Sequence, residues 1–220
     1  ASSQFFMVPL NCLPTDGTAA YLNTGRWADN AIKEARAYGN AEVVGSSKEQ
    51  GYTFIPKSYQ VPEDAAYLHF TSNNTVSGSQ HQQLPETDAT LVCDMSSDLF
   101  SRPLDFSRIG IIYAGAQKNL GPAGVTLVVV NKNLLGKVDR HIPTMLDYRT
   151  HIKKNSAFNT PPVYPIFVSM LTMRWIKAMG GLEVMEQRNR EKADLLYSEI
   201  DRNPLFEGIV AREDRSVMNA

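Results

Sequence analysis

The chain has 220 residues, long for one average domain and short for two, so one full domain with an appendage is expected. Lys plus Arg number 22 and Asp plus Glu 23, a formal net charge of −1 that argues against a nucleic-acid footprint, which needs a basic surplus. With 43% apolar and 20% charged residues and no apolar run near the ~18 residues of a membrane span, a globular chain outside the bilayer is expected.

In chain order, Ala19–Asn23 reads as a short strand, followed by Thr24-Gly25 and a helix from about Trp27. Ala28, Ala31, Ile32 and Ala35 recur at three and four residues, one apolar stripe, and Gly39 closes the helix. Glu42–Gly45 is the next strand. Beyond a loop around Pro56 and Pro62 come Tyr67–Thr71, Thr90–Asp94, Ile109–Tyr113 and Val125–Val130. These runs are apolar on both faces rather than alternating, the pattern of buried strands in an α/β sheet. Gly78–Asp88 is polar, contains Pro85 and reads as a loop. A helix follows from about Ile166 to Met179, stopped by Gly180-Gly181, and another runs from Leu182 to about Asp201 with Leu182, Met185, Leu196 and Ile200 along one side. A domain boundary is placed near Gly180, dividing the chain into 1–180 and 181–220. The chain begins without Met and stops at Ala220 just past a charged run, so both ends are expected to be cuts in a longer protein. Cys12 and Cys93 lie in apolar segments and are expected to be buried free thiols of a reducing cytosol.

Several common chemistries lack their residues. There is no G-x-x-x-x-G-K-[ST] loop, no G-x-G-x-x-G after a strand and no G-x-S-x-G elbow. His69, His81, His141 and His151 never fall at i, i+4, and the two cysteines are far apart, so no metal site is expected. What remains is a coincidence of strand ends. In an open α/β sheet, ligands collect beyond the carboxyl ends of the strands. Trp27 follows one strand, Thr75 another, Asp94 ends a third and Lys118 lies five residues past Tyr113. Singly, each has a plainer reading: Lys118 as an exposed turn lysine, Asp94 as a helix cap, Trp27 as packing. Together they place a carboxylate, an amine, an indole and a hydroxyl at one edge. A lysine among the small and apolar residues of Ala114-Gly115-Ala116-Gln117-Lys118-Asn119-Leu120-Gly121 would lose solvation, which lowers its pKa and favours a Schiff base.

Motifs across the whole chain carry a resemblance. Asn23-Thr24-Gly25-Arg26-Trp27, Thr71-Ser72-Asn73-Asn74-Thr75, Asp94-Met95-Ser96-Ser97, Ser101-Arg102-Pro103, Tyr113-Ala114-Gly115-Ala116-Gln117-Lys118-Asn119 and Phe158-Asn159-Thr160-Pro161-Pro162 stand in this order. In this it resembles the phosphoserine aminotransferases, fold-type-I pyridoxal-phosphate enzymes of the class V aminotransferase group.

The resemblance implies an α/β large domain with a mostly parallel seven-stranded sheet and helices on both faces, incomplete at its N-terminal side over 1–180. Residues 181–220 would begin a small C-terminal α/β domain. Lys118 would bind pyridoxal 5′-phosphate covalently and shuttle a proton, and Asp94 would pair with the ring nitrogen. Trp27 would stack on the ring, Thr75 would bond the ring hydroxyl side, and Gln117 would bind the phosphate. Ala1 and Ser2, at a helix start, would offer backbone N–H groups to the same phosphate. Asn159 and Thr160 would reach it from the second subunit of a homodimer. Several family members carry arginine where this chain has Ser2. The implied activity is cytoplasmic, reversible transamination between glutamate and 3-phosphohydroxypyruvate, giving O-phosphoserine and 2-oxoglutarate in serine biosynthesis. A related substrate on the pyridoxine route is a further option for bacterial members. Two other readings stay open: a non-catalytic cofactor-binding fragment, and another fold-type-I aminotransferase. A cysteine desulfurase would need a mobile cysteine.

Overall fold

The computed structural model describes residues 1–220. Helix α1 (Gln4–Cys12) precedes strand β1 (Thr18–Asn23), then α2 (Arg26–Ala35) and β2 (Asn40–Ser46). Strand β3 (Leu68–Thr71) leads into a two-residue hairpin, β4 (Asn73–Asn74) and β5 (Ser79–Gln80). Next come β6 (Leu91–Asp94), β7 (Ile109–Gly115), the single turn α3 (Ala116–Asn119) and β8 (Thr126–Val130). Helices α4 (Tyr148–Lys153), α5 (Val163–Ala178) and α6 (Leu182–Arg202) complete the chain. No helix is long and apolar enough to cross a membrane.

The main sheet has the order β2-β1-β3-β6-β7-β8, parallel throughout except for β8, which runs antiparallel to β7. The six strands match the six runs read as strands in the sequence; the seventh strand implied by the resemblance has no counterpart in residues 1–220. From β1 the chain crosses to β2 on one side, and β3 lies on the other, so the strand order reverses between β1 and β3. Such a reversal opens a crevice at the carboxyl ends of the strands.

Alternation along the strands sorts the core into two faces. Ala19, Tyr21, Val92, Ile111 and Tyr113 face one cluster, completed by Phe5 and Val8 of α1 and Ala31, Ile32 and Ala35 of α2. The neighbouring positions Ala20, Leu22, Leu91, Cys93, Ile112 and Ala114 face the other. That second cluster is bordered by Tyr59, Val61, Leu84, Phe100 and Leu104, all in connecting segments rather than helices. Both cysteines are free. Cys93 is buried as expected, while Cys12 is only half-buried, and burial still pushes its thiol up to about 12.

Candidate functional site

Strands β1, β3, β6 and β7 are consecutive and parallel, so their carboxyl ends fall on one edge of the sheet. The four residues expected there do meet. Lys118 Nζ donates to Thr75 Oγ1 at 2.6 Å and lies 5.2 Å from the centre of the Trp27 indole. Asp94, 5% exposed, ends β6 directly opposite Tyr113 of β7, the strand that leads to Lys118.

Asp94 is held by its own turn. Its Oδ1 accepts from Ser96 N at 2.9 Å and from Ser96 Oγ at 2.7 Å, while Oδ2 makes no hydrogen bond to the protein. Burial raises the Asp94 carboxyl above its usual range, and the Ser96 hydrogen bonds and the Lys118 charge partly offset this. Ser96 Oγ also accepts from Gly115 N at 3.1 Å, tying the carboxylate turn to the end of β7.

Lys118 stands open to solvent at the edge, flanked by hydroxyls rather than by the apolar neighbours expected from its sequence context. Desolvation lowers its pKa, against the opposing pull of Asp94 and Asp98. Beside it, Gly115 is where Gln117 and Ala1 converge: a Cβ there would lie 2.7 Å from Gln117 Oε1 and 2.9 Å from Ala1 Cβ. Ser2 is exposed just ahead of α1. Asn159 and Thr160 are exposed on the loop before α5 and bond to none of these residues; the Asn159 side chain donates only to the carbonyl of Thr160, at 3.4 Å. Arg149 pairs with Asp147, and His151 bonds the carbonyl of Met145, so both serve the start of α4.

Sequence reading assigned nothing to several residues that build this edge. Ser97 Oγ lies 2.6 Å from Thr75 Oγ1 and accepts from Lys118 Nζ at 3.3 Å. Asp98 is fully buried and accepts from Ser72 Oγ and, at 3.2 Å, from Gln80 Nε2. Ser72 in turn donates its backbone N–H to the Asp94 carbonyl. Downstream of α6, Asn219 donates to the Thr75 carbonyl at 3.0 Å and accepts from Asn73 Nδ2 at 2.7 Å, and Ser216 Oγ donates to Asn73 Oδ1. The turn carrying Thr75 is thus clamped from a segment about 140 residues away.

Residues 1–220 match the model of the family described as aminotransferase class-V. The chain belongs to this family. Among its relatives, the phosphoserine aminotransferase of Flavobacterium psychrophilum is 58% identical over 220 residues, all of this chain and 62% of the relative. The structure of phosphoserine aminotransferase from Bacillus circulans subsp. alkalophilus superposes with a TM-score of 0.94 at 46% identity, covering 98% of this chain and 61% of that one. A phosphoserine aminotransferase from Trichomonas vaginalis, described as bound to PLP, gives 0.92 at 34% identity, covering 98% of this chain and 62% of that one. The chain therefore spans just over three-fifths of the length of these relatives.

Proposed function

We propose that this chain forms the cofactor-binding part of a phosphoserine aminotransferase, transferring an amino group between glutamate and 3-phosphohydroxypyruvate to give O-phosphoserine and 2-oxoglutarate. Relatives of that name match the entire chain, and one solved relative is described as bound to PLP. The residues fit pyridoxal 5′-phosphate on their own chemistry. A buried carboxylate with one oxygen satisfied and the other unpartnered suits a cationic ring N–H, and an amine of lowered pKa suits attachment to an aldehyde. When bound, the cofactor supplies an electron sink next to the substrate Cα.

The protein's work is then divided among its own side chains. Lys118 Nζ attaches the cofactor and, once free, takes the proton from the substrate Cα. Asp94 Oδ2 keeps a proton on the ring nitrogen. Trp27 closes one face of the site against water and fixes the ring plane. Thr75 Oγ1 holds the ring hydroxyl. Gln117 and the backbone of Ala1 and Ser2 hold the phosphate beside Gly115, with Asn159 and Thr160 of a second copy completing the cradle. In this reading the enzyme is a cytoplasmic homodimer, the large domain covers 1–180, and 181–220 begin the small domain.

The observation that carries the proposal is the meeting of Asp94, Lys118, Thr75 and Trp27 at adjacent parallel strand ends. Borohydride treatment should fix a pyridoxyl group on Lys118, located by peptide mass mapping; a label on Lys132 or Lys137 would overturn the assignment. For the shared cradle, molecular mass and cofactor absorbance are followed together on dilution. Cofactor should be lost as dimers dissociate, and a monomer retaining all of it would remove Asn159 and Thr160 from the site.

A further inference from the structure

We propose that Ser97 is a catalytic residue of this site, a hydroxyl that holds the free Lys118 amine and sets the direction in which Thr75 presents its proton. This rests on the reading of Lys118 given above.

Three polar atoms form a closed triangle: Lys118 Nζ to Thr75 Oγ1 at 2.6 Å, Thr75 Oγ1 to Ser97 Oγ at 2.6 Å, and Lys118 Nζ to Ser97 Oγ at 3.3 Å. Ser97 is 8% exposed, and its remaining partner is the carbonyl of Asn73 at 3.4 Å. A neutral amine donates through two N–H groups and keeps one lone pair, so Nζ can bond both hydroxyls and still take a proton. With Lys118 free, both hydroxyl oxygens accept from Nζ, so the Thr75 hydroxyl donates its hydrogen bond to Ser97 Oγ, and Ser97 donates to the Asn73 carbonyl. With Lys118 engaged elsewhere, the chain can reverse. Ser97 then donates to Thr75 Oγ1, and the Thr75 proton is released towards an acceptor in the site.

Adjacent Ser96 shows that this is not a local turn contact. Ser96 bonds within its own turn and to Gly115, whereas the partners of Ser97 all come from other elements: the β4 strand, the turn after it, and α3. A hydroxyl whose only role was to cap the turn after β6 would bond that turn. The charged groups facing Lys118 are Asp94 and Asp98, with the Arg26 guanidinium over the same indole at 5.6 Å. None of them lies in hydrogen-bond contact with Nζ, so the two hydroxyls are its immediate shell.

Ser97→Ala and Ser97→Thr test this in two assays. In cofactor-free protein, the pH dependence of Lys118 reductive methylation is followed by mass spectrometry. Loss of an acceptor disfavours the ammonium, so the midpoint should fall by about half a unit to one unit in Ser97→Ala and return in Ser97→Thr. In the loaded enzyme, the glutamate half-reaction should slow about tenfold in Ser97→Ala with cofactor still bound, the size expected for one hydrogen bond. Should Ser97→Ala not fold, Ser97→Cys keeps the volume and weakens the acceptor, and the same shifts are expected in smaller measure. An unchanged midpoint together with a half-reaction within twofold of the unaltered protein overturns the proposal. If borohydride fixes no pyridoxyl group on Lys118, the functional reading fails instead, and the cofactor-free titration still reports on Ser97.

Discussion

Replacing Asp94 with asparagine tests the ring-nitrogen pairing, and the structure dictates how the amide would sit. Ser96 N and Ser96 Oγ both aim protons at Oδ1, a position only an oxygen can occupy. The asparagine oxygen therefore takes that place, and its NH2 group takes the place of Oδ2. An N–H now faces the ring nitrogen, which must give up its proton to accept from it. At about 3 Å and an effective dielectric constant of about 20, the lost pair of unit charges attracted by about 5.5 kcal/mol. If some two-thirds of that acts as the Cα proton leaves, the step slows by about 4 kcal/mol, or on the order of 10³-fold. Stopped-flow absorbance of the glutamate half-reaction, with Cα-deuterated substrate to mark the proton transfer, measures it. Thermal stability should barely move, because both Ser96 bonds survive. A half-reaction within about tenfold of the unaltered enzyme would refute the pairing and leave Asp94 as a turn-forming residue.

Three other outcomes are expected. Lys118→Ala should abolish transamination and leave the melting temperature almost unchanged, since the side chain is open to solvent; a large drop in stability would make it a structural lysine. Gly110→Ala should destabilise by about 1–3 kcal/mol in urea, because its Cβ would overlap Thr90 Cγ2 and approach Leu134 Cδ1 within 2.6 Å; an unchanged midpoint would mean the β7 edge repacks freely. His81 is buried and its pKa falls to about 4, so it is neutral when folded and takes up a proton on unfolding below pH 6.5. That costs stability as pH falls from about 6.5 towards 4, and His81→Asn should shrink the loss between pH 7 and pH 5 by about 2 kcal/mol. The raised carboxyls of Asp94 and Asp98 act in the opposite sense in both proteins and cancel in the difference. Identical pH dependence in the two proteins would contradict the burial argument.

The six main strands were legible because each is a compact apolar run, and the meeting of Trp27, Thr75, Asp94 and Lys118 followed from where those runs end. Helix α1 was expected only through the resemblance, at Ala1 and Ser2: it is apolar on most sides and carries Pro9 within it, which hides its period. The β4–β5 hairpin was missed because its strands are two residues each and wholly polar, Asn73-Asn74 against Ser79-Gln80. In the site, the charged and aromatic members could be read from spacing, but Ser96 and Ser97 could not. Adjacent serines carry no pattern that says one will grip Asp94 and the other Lys118; that division depends on a turn direction set by the end of β6. Asn219 was invisible for a different reason, since its partners lie more than 140 residues earlier.

That distance has a consequence for how the protein is made. The Thr75 turn leaves the ribosome with its polar groups unpaired, and the side chains that satisfy Asn73 and the Thr75 carbonyl are translated only at Ser216 and Asn219. At roughly 5–20 residues per second, the wait is on the order of ten seconds. During it the sheet edge can form while the Asn73 side chain and the Thr75 carbonyl lack these partners. The clamp on the Thr75 turn can therefore close only after α5 and α6 have been produced.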